Sequence, residues 1–242
     1  MNKHTYLSLF FLIIFSVSIS SQDNAIEEVI VTATKTEKTL QEVPVAVSVV
    51  TSDVIEKATI LDTFDLKSVI PSLDSRQYQS STNATFFIRG FGNGSNTPGV
   101  EPSVALFVDG VYRSKTQSQI SDLPMLERIE VLRGPQSTLF GKNASAGVIN
   151  IVTKKPSFEE STMISAGIGK YNSRVGKIYT TGPLSDTTAY SFNANFNKRD
   201  GHSDNPVTGN SVNNRDRFGI RAELLFVPTD DLSIRVTADY DE

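Results

Sequence analysis

The chain has 242 residues, 21% of them charged and 38% hydrophobic, with a net charge of −4. That balance excludes a disordered tail and a helical membrane protein, and an acidic chain gives no electrostatic ground for nucleic-acid binding. With no cysteine and two histidines, His4 and His202, disulfides, thiolate metal sites and a Cys nucleophile are excluded, and neither a His-built zinc site nor a Ser–His pair is expected.

Residues 1–20 read as an export signal. Lys3 and His4 form a basic end, Leu9 to Phe15 is unbroken apolar sequence, and Ser18 and Ser20 are small residues at a cleavage site. The apolar run is shorter than the roughly 20 residues of a spanning helix. The mature protein is therefore expected to leave the cytoplasm. Residues 21–41 read as a flexible lead segment. It holds one β-branched patch, Glu28-Val29-Ile30-Val31-Thr32-Ala33, with no partner nearby in sequence.

Residues 42–156 read as a compact α/β domain. Val43–Val50 is a strand candidate, and Asp53 three residues before Glu56 suggests a capping box opening a short helix. Asp62 opens a second helix, with Leu66, Val69 and Ile70 on one face and Pro71 as its stop. Ala84–Ile88 is a strand ending at Arg89-Gly90. Val104–Val108, apolar on both faces, is a buried strand, and Asp109-Gly110 turns it into Val111-Tyr112. Ile129–Leu132 and Val148–Val152 are further strands, flanking a turn and short helix across Gly134–Gly141. Two glycine patterns carry no nucleotide chemistry. Gly134 to Asn143 has the wrong spacing for a phosphate loop, and Ser95 stands where a dinucleotide loop needs its third glycine.

From residue 157 the pattern changes to strict alternation. Tyr190, Phe192, Ala194 and Phe196 alternate with Ser191, Asn193 and Asn195; Phe218, Ile220, Ala222, Leu224 and Phe226 with Gly219, Arg221, Glu223 and Leu225; Leu232, Ile234, Val236, Ala238 and Tyr240 with Ser233, Arg235, Thr237 and Asp239. Two weaker strands, near 162–169 and 173–182, precede them. Period two gives one apolar and one polar face, and each segment has the length of a tilted membrane-spanning strand. Connections run short (Pro183–Asp186), long (Asp200–Asn214) and short (Pro228–Asp231), as in transmembrane barrels. Tyr190 and Phe226 would form one aromatic girdle, and Phe196, Phe218 and Tyr240 the other. A soluble antiparallel sheet with one dry face is the competing reading of the same pattern.

The stretch Leu126-Glu127-Arg128-Ile129-Glu130-Val131-Leu132-Arg133-Gly134-Pro135-Gln136-Ser137-Thr138-Leu139-Phe140-Gly141 resembles the plug signature of TonB-dependent outer-membrane receptors. So do Ala146 to Pro156, Phe87-Ile88-Arg89-Gly90 and Val108-Asp109-Gly110-Val111. The resemblance implies an α/β plug domain followed by antiparallel strands of an incomplete transmembrane β-barrel, the plug filling the lumen of a barrel of roughly 22 strands. It makes Glu28, Val29, Ile30, Val31, Thr32 and Ala33 the TonB box, a segment that adds as a strand to the energy-coupling protein TonB. Gln77, Tyr78, Gln79 and Ser80, with Phe91, Asn93, Ser95 and Asn96, become candidate ligand-facing loop residues. Arg89, Gly90, Asp109, Gly110, Arg133, Gly134, Pro135 and Gly141 become structural motif positions, with lumen acids as alternative partners of Arg89 and Arg133. The implied partners are TonB, outer-membrane lipid and a small-molecule ligand such as a ferric siderophore. No cofactor, resident metal, catalytic residue or nucleic acid is implied.

Five strands do not close such a barrel, and open edges in lipid are costly. The expectation is therefore an N-terminal fragment of a longer receptor that imports a scarce nutrient. A stand-alone periplasmic plug module and a non-functional truncated receptor are the alternatives.

Overall fold

The computed structural model describes residues 29–32, 35–36, 38–77, 84–92, 100–114 and 125–242. The export signal lies outside the described residues.

The lead segment is not partnerless. Strand β1 (Ile30–Val31) pairs antiparallel with β2 (Lys38–Thr39), and a 3-10 turn at Leu40–Glu42 follows. The sequence reading missed this because β2 has no apolar pattern of its own. What holds the ribbon is distant in sequence: Val31 is fully buried against Val43, Leu132, Ala144 and Val148. Full burial of a valine contributes about 1.5–3 kcal/mol, enough to hold a two-residue strand that propensity alone would leave loose.

The plug centres on a mixed five-stranded sheet. It contains β3 (Ala46–Thr51), β6 (Val104–Val108), β7 (Val111–Tyr112), β8 (Leu126–Arg133) and β9 (Gly147–Thr153), in the order β3-β8-β9-β6-β7. Only β6 and β9 run parallel. A ribbon of β4 (Leu73–Gln77) and β5 (Ala84–Ile88) joins helix α1 (Ser52–Lys57) and a 3-10 turn (Asp65–Ser68) over one sheet face. Leu66, Ile70, Phe86, Ile129, Ile149 and Ile151 fill that core. The lead segment and helix α2 (Ser137–Phe140) cover the opposite face. Covering both faces explains why β6, β8 and β9 are nearly continuous apolar runs.

Two helix starts differ from expectation. Helix α1 begins at Ser52 behind Thr51, with no side-chain cap, because β3 runs straight into it; Asp53 lies in the first turn and pairs with Lys57 at 2.7 Å. Asp62 lies two residues ahead of the cap position, Phe64, and braces the start from there, its Oδ1 accepting the Phe64 and Asp65 N–H at 2.9 and 3.3 Å; the turn that follows is 3-10. Asp65 returns the interaction by accepting the Leu61 and Asp62 N–H, which tightens the turn. Asp109 and Gly110 both take positive φ, +47° and +81°, the mirror-image turn that suits a right-twisted hairpin.

The remaining strands, β10 (Ser161–Gly169), β11 (Ser173–Ser185), β12 (Thr188–Arg199), β15 (Arg215–Thr229) and β16 (Leu232–Asp241), form one antiparallel sheet in that order. The long connection carries a small ribbon of β13 (Ser203–Asp204) and β14 (Ser211–Val212). Pro183 and Pro228 lie inside β11 and β15 and not in the turns. The ladder shifts register between Pro183 and Ser185 and between Phe226 and Thr229, where a residue without an N–H cannot donate.

Burial decides between the two readings of these strands. A soluble sheet would hide its apolar face. Here Phe192, Ile220 and Val236 are 38%, 37% and 60% exposed, while Asn193, Arg221 and Glu223 are at most 9% exposed. The polar face packs on the plug and the apolar face looks outward, the arrangement of a barrel wall in lipid. The aromatic positions hold as well: Phe196 pairs directly with Phe218, and Phe226 pairs with Thr188, two residues from Tyr190.

Candidate functional site

Three regions carry the chemistry: the docked lead segment, the plug–barrel seam, and the loop ends of the plug.

Val29 to Thr32 lies across the face of the sheet made by alternate residues of β8 and β9. One end of that face is apolar, with Leu132 and Val148; the other is polar, with Arg128, Glu130 and Asn150. Val31 enters the apolar end. Thr32 meets the polar end: its N–H donates to Glu130 Oε1 at 2.8 Å, and its hydroxyl donates to the same carboxylate at 3.1 Å and accepts from Asn150 Nδ2 at 3.1 Å. Glu130 is fully buried and also accepts from Arg128 Nε at 2.8 Å and Asn150 Nδ2 at 3.2 Å. A buried carboxylate needs this many donors to offset its lost hydration. Glu28 and Ala33 lie outside the described residues.

The seam sets plug carboxylates against arginines of the barrel strands, with Glu223 of β15 shared between two of those arginines and one pair, Arg113–Asp239, of the reverse sense. Asp109 Oδ1 accepts the Thr153 N–H at 2.9 Å and its Oδ2 accepts the Thr153 hydroxyl at 2.8 Å, which fixes the hairpin turn to β9. Arg221 of β15 then pairs with both Asp109 and Glu223. Arg235 of β16 bonds Glu223 at 2.6 Å and the Thr153 hydroxyl at 2.6 Å. Arg113 and Asp239 add a pair at 3.3 Å. Four and six residues along β15 toward the long connection, Arg217 and Arg215 converge on Asp62 at 3.0 and 2.9 Å. One inward strand face therefore grips the plug at two levels. Asp109 was expected only as a turn residue; its second role as the anchor of two arginines was not foreseen.

The candidate loop residues divide. Gln77 pairs with Ala84 at one end of the β4–β5 ribbon, while Leu73 pairs with Ile88 at the other, roughly 14 Å away by strand rise. Phe91, which bridges back to Ile88, belongs to that second end. The two loops therefore leave opposite ends of one ribbon. Phe91 is largely exposed beside a cavity of about 470 Å³ lined by Arg89, Gly134, Pro135, Ser103 and Ser145 among others. The loop from Gly134 continues into Phe140, whose ring lies under Lys35 of the lead segment at 5.4 Å. This end of the ribbon therefore borders the Gly134 loop, which leads to Phe140 on the sheet face that carries the lead segment. Tyr78, Gln79, Ser80, Asn93, Ser95 and Asn96 lie outside the described residues.

Arg89 adopts φ +55° and Gly90 +80°. Arg133 Nε reaches the Ala46 carbonyl at 3.5 Å, tying the end of β8 to β3. Gly134 and Gly141 both have positive φ and bracket α2. The Tyr112 phenol beside this loop is pushed up by burial, with the Asn143 side-chain amide donating to it in partial opposition.

Residues 39–148 match the family described as the TonB-dependent receptor plug domain. The chain carries the plug of a TonB-dependent outer-membrane receptor. The pesticin receptor of Yersinia pestis is 32% identical over 181 residues, 74% of this chain and 26% of that protein. The vitamin B12 transporter BtuB of Vibrio vulnificus is 28% identical, over 83% of this chain and 32% of its own length. Among solved structures, the ferric yersiniabactin uptake receptor FyuA of Yersinia pestis superposes with a TM-score of 0.75 at 29% identity, covering 81% of this chain and 31% of FyuA. The ferripyoverdine receptor of Pseudomonas aeruginosa shares the fold, with a TM-score of 0.74 at 21% identity over 88% of this chain and 27% of its own. The chain thus spans about a quarter to a third of these relatives. The protein belongs to the outer membrane of a Gram-negative cell.

Sequence reasoning missed Glu130 and Asn150 as partners of the lead segment. The signal was present: each is a polar residue between two buried apolar neighbours, Ile129 and Val131 for Glu130 and Ile149 and Ile151 for Asn150, and such a residue must find a polar partner.

Proposed function

We propose that this chain is the N-terminal part of a receptor, not an enzyme, that imports a scarce nutrient across the outer membrane at the expense of energy delivered by TonB. A ferric siderophore is the ligand class the reading favours. The observation that carries it is the inverted burial of β11, β12 and β15 against the plug: strands whose polar face grips a domain and whose apolar face looks outward. The outer membrane holds no nucleotide or ion gradient, so the plug must be moved from the periplasmic side. Glu28–Ala33 is the segment for that, because an extended β-branched stretch adds readily to another protein's sheet. The lipid of the outer membrane is the partner of the exposed strand face.

Ligand capture is assigned to Gln77–Thr82 and to the connections at the outer ends of the strands. Those connections are tied to each other, since the Asp200 N–H donates to the Tyr171 carbonyl at 2.9 Å and the rings of Tyr171 and His202 lie 6.2 Å apart. Phe91, which borders the Gly134 loop, fits a coupling role better than a ligand contact. The test is iron-limited growth and radiolabelled iron uptake in a host with this receptor as its sole ferric-siderophore route. The proposal expects uptake with the native receptor and, for Ile30→Pro, no uptake with ligand binding intact. Equal uptake by both would remove the coupling segment from the mechanism.

A further inference from the structure

The docked lead segment has one strand edge against β2 and one edge open. Successive residues in a strand direct their backbone groups to opposite edges. The Leu40 N–H donates to the Val29 carbonyl at 2.9 Å, so Val29 and Val31 face β2 and Ile30 and Thr32 face the open edge. That open edge is where a partner strand would add. Both Thr32 groups are already committed there: its N–H to Glu130 Oε1 at 2.8 Å, its carbonyl to the Lys35 N–H at 2.8 Å. Among the described residues only Ile30 is left to offer edge groups, and one residue is too short a template for strand addition.

We propose that Glu130 is a latch that withholds the coupling segment by occupying the backbone donor a partner strand requires. This rests on the reading of Glu28–Ala33 as the TonB-coupling segment and names the residue that regulates it. Thr32 is held twice by one buried carboxylate, through backbone and hydroxyl, and charged acceptors make the stronger hydrogen bonds. Arg128 and Asn150 keep Glu130 partnered after Thr32 leaves, so release does not strand a buried charge. Once Thr32 is free, Val31 beside it, with Val29 and Leu40, is the apolar hold that remains on the sheet, and the release of Thr32 leaves that hold without its polar anchor.

The test uses the receptor in outer-membrane vesicles without nutrient ligand, and the soluble periplasmic domain of TonB as probe. Ile30→Cys, made the only cysteine of the receptor, gives a single site for a spin label; residues 1–242 contribute no other. Glu130→Gln keeps the shape and removes the charge. It should mobilise the label and raise TonB-domain affinity roughly tenfold, the scale of one charge-assisted hydrogen bond. Thr32→Val, which leaves the plug strands untouched, should shift both readouts the same way by less, and serves if Glu130→Gln perturbs folding. Unchanged label mobility and unchanged affinity in both variants would overturn the latch. Ile30→Pro separates the two claims. If it abolishes TonB binding while Glu130→Gln changes nothing, the coupling segment stands and the latch fails. If Ile30→Pro binds TonB normally, the coupling reading itself fails.

Discussion

In β9 of the plug, Val148 and Ile149 point to opposite faces and both are buried, each against its own cluster. In β15, Ile220 and Arg221 also point to opposite faces, but the isoleucine looks outward and the arginine is buried. The plug obeys the solvent rule of soluble domains on both faces, whereas the barrel strands reverse it. The difference teaches that alternation in a sequence fixes which residues share a face and leaves open which face is wet. That is settled by what lies on each side: here a polar plug inside and an apolar band outside.

Substitutions on the two sides should break or sharpen the contrast. The largest effect is expected for Leu132→Ala in the plug, at about 2–5 kcal/mol, because a fully buried leucine leaves a cavity. Leu224→Ala on the outward face should cost less, since lipid refills the space. Denaturant unfolding of the receptor in vesicles compares them, and equal losses would place Leu224 in a packed interior.

Next, Ile220→Arg should cost about 2–4 kcal/mol near the bilayer midplane. Arg221→Leu, one residue on, should leave membrane insertion nearly unchanged and loosen the plug instead. Folding yields into vesicles together with protease sensitivity of the plug give both readouts. An insertion defect in Arg221→Leu matching that of Ile220→Arg would contradict the assigned faces.

Asp109→Asn should weaken plug docking by about 1–3 kcal/mol, as Arg221 and Arg235 lose a charged acceptor while retaining Glu223. Hydrogen exchange should rise at the β6–β7 turn and along Thr153, with β3 unaffected. The smallest effect is expected for Gly176→Ala. A Cβ there would lie 2.2 Å from Phe196 Cε1, and turning that ring away should cost about 1 kcal/mol. A neutral result would mean the aromatic side chain is mobile on the outer face.

Much of this was legible in the sequence for local reasons. Ala84–Ile88 and Val104–Val108 were bounded correctly because Arg89-Gly90 and Asp109-Gly110 mark their ends with turn chemistry. The faces of β12, β15 and β16 followed from period two. The rest depended on contacts distant in sequence. Ile30–Val31 finds Lys38–Thr39 only because Val31 and Thr32 dock on β8 and β9. The proline bulges in β11 and β15 depend on how the neighbouring ladder continues, which a turn-like Pro183 or Pro228 does not announce. Asp62 read as a helix cap, and its grip on Arg215 and Arg217 became visible only once β15 was laid beside it. For the candidate site, the coupling segment and the motif positions were named from resemblance. The latch residue and the division of the two loops between opposite ribbon ends required the fold.

The most direct test of the central claim is a pair of spin labels, Phe192→Cys and Asn193→Cys, each the only cysteine in the receptor folded in lipid vesicles. Accessibility is read with oxygen, which partitions into lipid, and with a water-soluble nickel chelate. The account predicts strong oxygen contact at 192 and none at 193, where the side chain faces the plug. Oxygen contact at 193 with chelate contact at 192 would reverse the sheet, and chelate contact at both would remove these strands from the membrane.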